Sequence, residues 1–398
     1  MRDVDTLARR HSETARAATT AVSPPPVSSI AERAGSRPRV PREVWLAGAV
    51  ILAVVLTGWA MWVARSAEEV ADAPPTTVVS SDEAVLDGLP DGCAWCPGLV
   101  LDDGRALILD SRTVLSYDPS TETLTRVADL PDDFSQGSLI ALPDGRVLMV
   151  PGVGEQAWVF EPSNGSFVGT SLSDQQVAGG VGTVLEDGRV LLVVQYGSGW
   201  LYESSTDETV EIGPIPDIGW IWSVVPLDDG DILFLGTGAV VYDQLREQFV
   251  DVESPQFPGG ATATKLADGR VLIVGGQSLE APYETTAGSF IYDPEGRAFT
   301  PSENMTTPRW GHAAALLADG RVLIVGGRAE SPKGYDTFEI YDPMTGEFTL
   351  SEERLSQPRV SSTVLVLDDG SALVFGHYDG NVPIEPVYPN DTIEVVRP

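Results

Sequence analysis

One phrase recurs seven times along this chain of 398 residues, and it limits the possible folds more than any other feature. It reads LDDGRALIL at 101–109, LPDGRVLMV at 142–150, LEDGRVLLV at 185–193, LDDGDILFL at 227–235, LADGRVLIV at 266–274 and again at 317–325, and LDDGSALVF at 367–375. Its glycines are Gly104, Gly145, Gly188, Gly230, Gly269, Gly320 and Gly370, at steps of 41, 43, 42, 39, 51 and 50 residues. A period of this size marks a repeat architecture, whose units bury their apolar faces only against one another. Within each phrase apolar residues precede Asp-Gly, and Val, Leu and Ile follow it. Asp-Gly favours the positive φ angles of a type I′ turn, so each phrase is expected to be a β-hairpin, strand 1 to strand 2. The apolar runs on both sides predict burial on both faces.

A second signal follows each phrase but the last. It reads LSYDP (115–119), WVFEP (158–162), WLYES (200–204), VVYDQ (240–244), FIYDP (290–294) and EIYDP (339–343). This is a strand running into a tight turn, with Asp and Pro suited to the bend. A further apolar position follows at Leu124, Phe167, Val210, Phe249, Phe299 and Phe348, marking strand 4. Four strands per 40–50 residues is the pattern of propeller blades. In the last copy, Thr392–Val396 aligns with Thr337–Tyr341, and the sequence stops at Pro398, so blade 7 lacks a fourth strand of its own. The segment from Thr76 to Leu86 is placed to supply it, closing the ring from the N-terminal side and removing open sheet edges. The expectation is an all-β, seven-bladed propeller over 76–398; six blades is the alternative.

The order DGRVLIVGG, a strand ending YDP, and an aromatic strand 4 resembles kelch repeats. Pro308-Arg309-Trp310-Gly311-His312 and the pairs Gly275-Gly276 and Gly326-Gly327 fit the kelch and galactose-oxidase-like pattern. The resemblance covers about residues 76–398 and is weakest in copies 3 and 4, where the Gly-Gly pair is missing. It implies structural posts for residues such as Arg309, Arg359 and His312. It also raises an enzyme reading, because galactose-oxidase chemistry uses copper held by histidines and tyrosines with a Cys–Tyr cross-link. Only His312 and His377 are available beyond residue 43, and the two cysteines, Cys93 and Cys96, lie near the first blade, so that centre is poorly supplied. No other catalytic motif stands out, and neither a catalytic residue nor a metal or other cofactor is assigned.

Ahead of the repeats, Val44–Ala64 is an uncharged apolar run of 21 residues. At about 1.5 Å per residue it spans a hydrocarbon core of about 30 Å as one helix. Trp45, Trp59 and Trp62 lie toward its ends, as interfacial anchors do. A 43-residue leader is too long for a secretory signal, so the segment reads as an uncleaved signal anchor. Residues 1–43 hold eight Arg and five acids, while Arg65 is followed by Glu68, Glu69 and Asp72. The positive-inside rule places residues 1–43 in the cytoplasm as a largely disordered tail, 65–75 outside as a linker, and 76–398 outside the cell membrane. The sequence beyond residue 43 holds 17 basic and 53 acidic residues, which argues against nucleic acid as a partner.

With strand 1 running down the central channel, the Asp-Gly turns share a lower face, and the strand 2–3 and 4–1 loops share an upper one. The 2–3 loops are long in blades 5, 6 and 7: Gln277–Ser289, Arg328–Thr337 and His377–Asp391. Candidate binding residues on that face are Trp220, Trp222, Tyr283, Arg309, Trp310, Tyr335, Arg359 and Tyr378, since aromatic and arginine side chains on loops are the stuff of recognition surfaces. Packing of blade against blade is the competing role. Cys93-Ala-Trp-Cys96 is a disulfide candidate in an oxidising exterior. The leading expectation is a membrane-anchored, non-catalytic module that recognises an extracytoplasmic small ligand, protein or glycan. The alternatives are a galactose-oxidase-like enzyme and a sensor whose tail binds a cytoplasmic regulator.

Overall fold

The computed structural model describes Val85–Asp87 and, from Cys96 to Pro398, all but residues 111, 133, 135–136, 153–155, 173, 178, 195–196, 281, 330–333 and 377–391. All of these belong to the unit Pro74–Pro398. The expected tail, membrane segment and linker lie outside the described residues. Among the described residues no helix is long and apolar enough to cross a membrane.

Seven four-stranded antiparallel sheets form the blades of a β-propeller, at 98–129, 137–169, 181–214, 223–251, 262–301, 310–359 and 363–396. The first strands of neighbouring blades face one another around the ring, and Gly98–Val100 of blade 1 meets Thr363–Val366 of blade 7. The second strands explain the apolar runs. In Ala106–Leu109, Ala106 and Ile108 pack with Leu373, Phe375 and Ile393 of blade 7, while Leu107 and Leu109 pack with Val147 and Met149 of blade 2. Each such strand is buried on both faces because it is sandwiched between two other sheets, and each large apolar side chain so placed contributes about 1.5–3 kcal/mol.

The ring closes as the alignment requires. Val85–Asp87 pairs antiparallel with Thr392–Val396, setting Val85 opposite Glu394, Leu86 opposite Ile393 and Asp87 opposite Thr392. Blade 7 therefore contains both ends of the repeat region. A second tie crosses the same seam: the Thr363 hydroxyl donates to the Cys96 carbonyl at 2.8 Å.

The Asp-Gly turns differ from the expected type I′. Only the glycines have positive φ, from 82° at Gly104 to 89° at Gly188; the aspartates before them do not. The Gly104 N–H donates to Leu101 O at 2.9 Å and the Leu101 N–H to Arg105 O at 2.8 Å, so the loop has three residues and ends in a bulge at glycine. The aspartate serves through its side chain instead. Asp103 accepts from the Arg105 N–H and its guanidinium, and the pattern recurs at Asp144–Arg146, Asp187–Arg189, Asp268–Arg270 and Asp319–Arg321. The arginine hydrogen bond holds Asp103, Asp144 and Asp268 below the usual carboxylate range.

The strand 3–4 turns on the same face stitch neighbouring blades. Glu122, Asp207, Glu247 and Arg297 all adopt positive φ, where glycine would be less strained. Three of them make ion pairs to the preceding blade: Glu122 with Arg397, Glu247 with Arg189, and Arg297 with Asp231. Asp207 accepts from the Ser171 N–H at 2.9 Å. The last ion pair is charge-reversed relative to Arg189–Glu247. Blade 4 alone reads Asp-Gly-Asp, and the opposing turn of blade 5 carries arginine where blade 4 carries Glu247.

Candidate functional site

The most elaborate upper-face structure lies on blades 5 and 6. In blade 6, Arg309 precedes strand 1 and turns inward. Its Nε donates to Glu339 Oε1 at 3.0 Å, Nη1 to the carbonyls of Gly326 (2.6 Å) and Thr337 (2.9 Å), and Nη2 to Thr337 Oγ1 at 2.9 Å. The Glu339 carboxylate also accepts from the N–H groups of Thr306 (2.7 Å) and Thr307 (3.2 Å). Both side chains are fully buried. Gly326 must be glycine, because its φ is 69° and a Cβ would stand 2.6 Å from the Arg359 carbonyl. Burial pulls the Arg309 guanidinium below its ordinary range, and the Glu339 charge opposes this.

Blade 7 repeats the arrangement. Arg359 donates to Glu394 Oε1 (Nη2, 2.7 Å), to Thr392 O (Nη1, 3.0 Å) and to Thr392 Oγ1 (Nη2, 3.1 Å), and Glu394 Oε2 accepts from the Ser356 N–H at 2.7 Å. Two of the sequence candidates are thus enclosed clamps: Arg309, just before blade 6, and Arg359, at the end of the fourth strand of blade 6, each tie the chain leading into a blade to that blade's third strand. Their five-donor guanidinium groups are spent inside the protein rather than offered to a ligand. The signal that finds their partners is an acid amid an apolar strand, Glu339 in FEIY and Glu394 in TIEVV.

His312 is buried at the blade 5–6 seam, with Nε2 2.9 Å from Thr262 Oγ1 and Nδ1 without a hydrogen-bond partner. Burial, then the Arg309 charge, drives its pKa down to about 3. An unfolded histidine titrates near 6.5. The unfolded chain therefore binds the proton first, and stability present above pH 6.5 drains away as pH falls toward 3. We expect a loss of about 1.4 kcal/mol per pH unit between pH 6.5 and 4.5, above the main carboxylate range. Chemical denaturation across that window should show this slope in the native chain and a reduced one in His312→Gln.

The other candidates are dispersed. The Trp310 ring carries the Arg328 guanidinium 4.9 Å from its centroid, and Tyr335 covers Arg309 at 5.2 Å. The expected loop Arg328–Thr337 is shorter than its sequence suggests. Strand Val322–Arg328 runs to its first residue and strand Tyr335–Asp342 takes in its last three, so Tyr335 is held in a sheet. Trp222 packs against the core shared by blades 4 and 5, and Trp220 is exposed in the loop before blade 4. Tyr283 stands exposed at the tip of the blade 5 loop with φ 57°. Tyr378 and Cys93 lie outside the described residues. Cys96 is fully buried and disulfide-bonded.

Backbone strain also appears at Ser361. Its φ of 56° matches Gly311 (68°) and Gly260 (69°) at the corresponding place in blades 6 and 5. Ser361→Gly should relieve about 1 kcal/mol and raise the melting temperature, because the Ser361 N–H bond to Gly311 O (2.8 Å) survives the change. Differential scanning calorimetry measures it.

A cavity of about 510 Å³ on blade 5 has no signature in the sequence. One wall is Gln256–Pro258, the link from blade 4; the other is the 2–3 loop, with Leu279, Glu280, Glu284 and Thr285; Phe290 and Ile273 line it from the sheet. The loop is itself folded. Gln277 pairs with Gly259 on one side and Thr285 on the other, and the Ser278 N–H donates to Glu284 O at 2.8 Å. Only the loop's length was visible in the sequence; the cavity arises from its pairing with a segment nearly twenty residues away.

A kelch motif model matches residues 309–351. The chain is 21% identical over 284 residues to a galactose oxidase of Gibberella zeae, covering 68% of this chain and 39% of that one. It is 22% identical over 249 residues to the F-box/kelch-repeat protein At1g67480 of Arabidopsis thaliana, covering 58% and 62%. The chain spans 14% to 62% of the length of the curated relatives it matches. Among solved structures, a fungal alcohol oxidase of the AA5 family in complex with copper superposes with a TM-score of 0.65 at 16% identity, covering 79% of this chain and 76% of that one, a likeness of fold alone. These matches place a kelch motif in blade 6 and show that the chain is similar to galactose oxidase and F-box/kelch-repeat proteins.

The described residues do not fit a copper centre of the galactose-oxidase kind. His312 Nε2 is taken by Thr262, its ring is sealed in the seam between blades, and Cys96 is committed to a disulfide. Among the described residues no three His, Cys, Asp or Glu side chains gather to hold a metal.

Proposed function

We propose that this chain is a membrane-anchored recognition module, non-catalytic, whose propeller stands outside the cell and takes its ligand on the upper face at blades 4 to 6. The observation that carries this reading is the blade 5 cavity. Its volume falls within the range of about 300–1,000 Å³ usual for small-ligand sites. It is walled by loops on a rigid ring, as binding sites commonly are. Exposed Trp220, Leu279 and Tyr283 lie on loops of the same face. The anchoring follows from Val44–Ala64 and the arginines before it, through the positive-inside rule.

Binding is tested by screening the full chain in detergent against arrays of glycans, metabolites and peptides, alongside a variant with residues 278–284 replaced by a short Gly-Ser link. A ligand that binds the native chain and not the variant supports the reading; ligands that bind both equally would place recognition elsewhere. Topology is tested by labelling single cysteines at positions 20 and 398 in a Cys93→Ser/Cys96→Ser background with a membrane-impermeant reagent on whole cells. Labelling at 398 alone is expected.

A further inference from the structure

The blade 5 cavity has a distinctive chemistry. Its base is apolar, with Phe257 and Phe290 in edge-to-face contact at 5.6 Å and Ile273 beside them. Glu280 and Glu284 line it, and both are exposed and without an ion pair among the described residues. Among the described residues no lysine, arginine or histidine lines the cavity, although arginines elsewhere on the molecule are routinely paired with acids. Thr285 adds an oxygen that is buried and has no hydrogen-bond partner.

A pocket with an apolar base, two carboxylates and, among the described residues, no basic side chain is complementary to one class of small molecule: an organic cation with a hydrophobic body. Its body would lie against the phenylalanines, and its ammonium or guanidinium would reach Glu280 and Glu284. We propose that the cavity at the junction of blades 4 and 5 binds a small organic cation bearing an apolar group, with Glu280 and Glu284 selecting the charge and Leu279, Phe257 and Phe290 holding the body. This rests on the recognition reading given above and names its ligand class. An anionic ligand is disfavoured twice, by the two glutamates and by the acidity of the chain beyond residue 43.

The test uses three probes of one skeleton, phenethylammonium, phenethyl alcohol and 3-phenylpropionate, titrated calorimetrically into the full chain in detergent at low salt. Phenethylammonium is expected to bind at least tenfold more tightly than the alcohol, and the carboxylate not at all. Glu280→Gln/Glu284→Gln should abolish that preference and leave both alcohol binding and the melting temperature unchanged, since neither carboxylate supports the fold. Leu279→Asp should abolish alcohol binding. Equal binding of ammonium and alcohol, or a preference that survives the double variant, would overturn the charge assignment while leaving recognition at this cavity standing. Absence of ammonium binding at millimolar concentration would overturn the proposal, and the array screen would then decide the recognition reading independently. Tighter binding of N-acetyl-lysine methylamide than of phenethylammonium would overturn the small-molecule occupant in favour of a polypeptide side chain.

Discussion

Deleting residues 76–87 is expected to lower the stability of the propeller by about 4 kcal/mol and its melting temperature by roughly 10 °C. The deletion removes Val85–Asp87, the outermost strand of blade 7. Its partner Thr392–Val396 has every residue buried, including Ile393, Val395 and Val396. Stripped of its neighbour, that strand becomes an open edge with unpaired backbone groups and newly wetted apolar surface. Exposing roughly 150 Å² at about 25 cal/mol per Å² accounts for most of the loss, and severed ladder hydrogen bonds for the rest. The variant should also self-associate, since exposed edges pair with one another. Calorimetry and sedimentation velocity check both effects. A deletion variant that melts with the native chain would show that blade 7 holds without the N-terminal strand.

Breaking the blade 6 clamp should cost nearly as much at a single side chain. Arg309→Ala leaves Glu339 as a buried charge, and Glu339→Ala leaves Arg309 as one; either should destabilise by about 3–5 kcal/mol. Replacing a buried ion pair with apolar residues often restores stability, but here Arg309→Met/Glu339→Leu should remain destabilised by at least about 2 kcal/mol. The pair serves more than itself. Glu339 satisfies the Thr306 and Thr307 N–H groups, and Arg309 satisfies the carbonyls of Gly326 and Thr337. An apolar pair orphans all of these, at about 1–3 kcal/mol for each group that stays buried. Urea titrations of the two single variants and the double variant form the cycle. A double variant as stable as the native chain would mean that the loop finds other partners. The same pattern is expected at Arg359 and Glu394.

The blades were legible because their signals are local. A strand sandwiched between two sheets must be apolar throughout, and a three-residue hairpin needs its glycine, so seven copies of one phrase were enough to count seven sheets. Closure was legible for a different reason: a blade one strand short must borrow from elsewhere, and the segment from Thr76 to Leu86 stands ahead of the first repeat, where it can supply the strand. The turn type was misjudged because Asp-Gly satisfies two hairpin geometries, and only the hydrogen bonds of Leu101 and Gly104 separate them. The arginines illustrate how residue type alone misleads about a site. Arg309 and Arg359 look like recognition residues until their partners, some 30 residues further on, are seen to enclose them. The blade 5 cavity was invisible because Leu279, Glu280 and Glu284 acquire their meaning only when Gln277 pairs with Gly259.

That blade 7 is assembled from residues 85–87 and 392–396 has a consequence for biogenesis. The two pieces are separated by almost the whole length of the repeat region, so this contact has the highest loop-closure cost among the strand pairings of the described residues. Residues 392–396 must leave the ribosome before the circle can be sealed. Until then each emerging sheet stacks on its predecessor while the earliest strand waits unpaired. A chain cut short before residue 392 would therefore be unable to lock, which makes the emergence of this late strand a natural checkpoint for quality control.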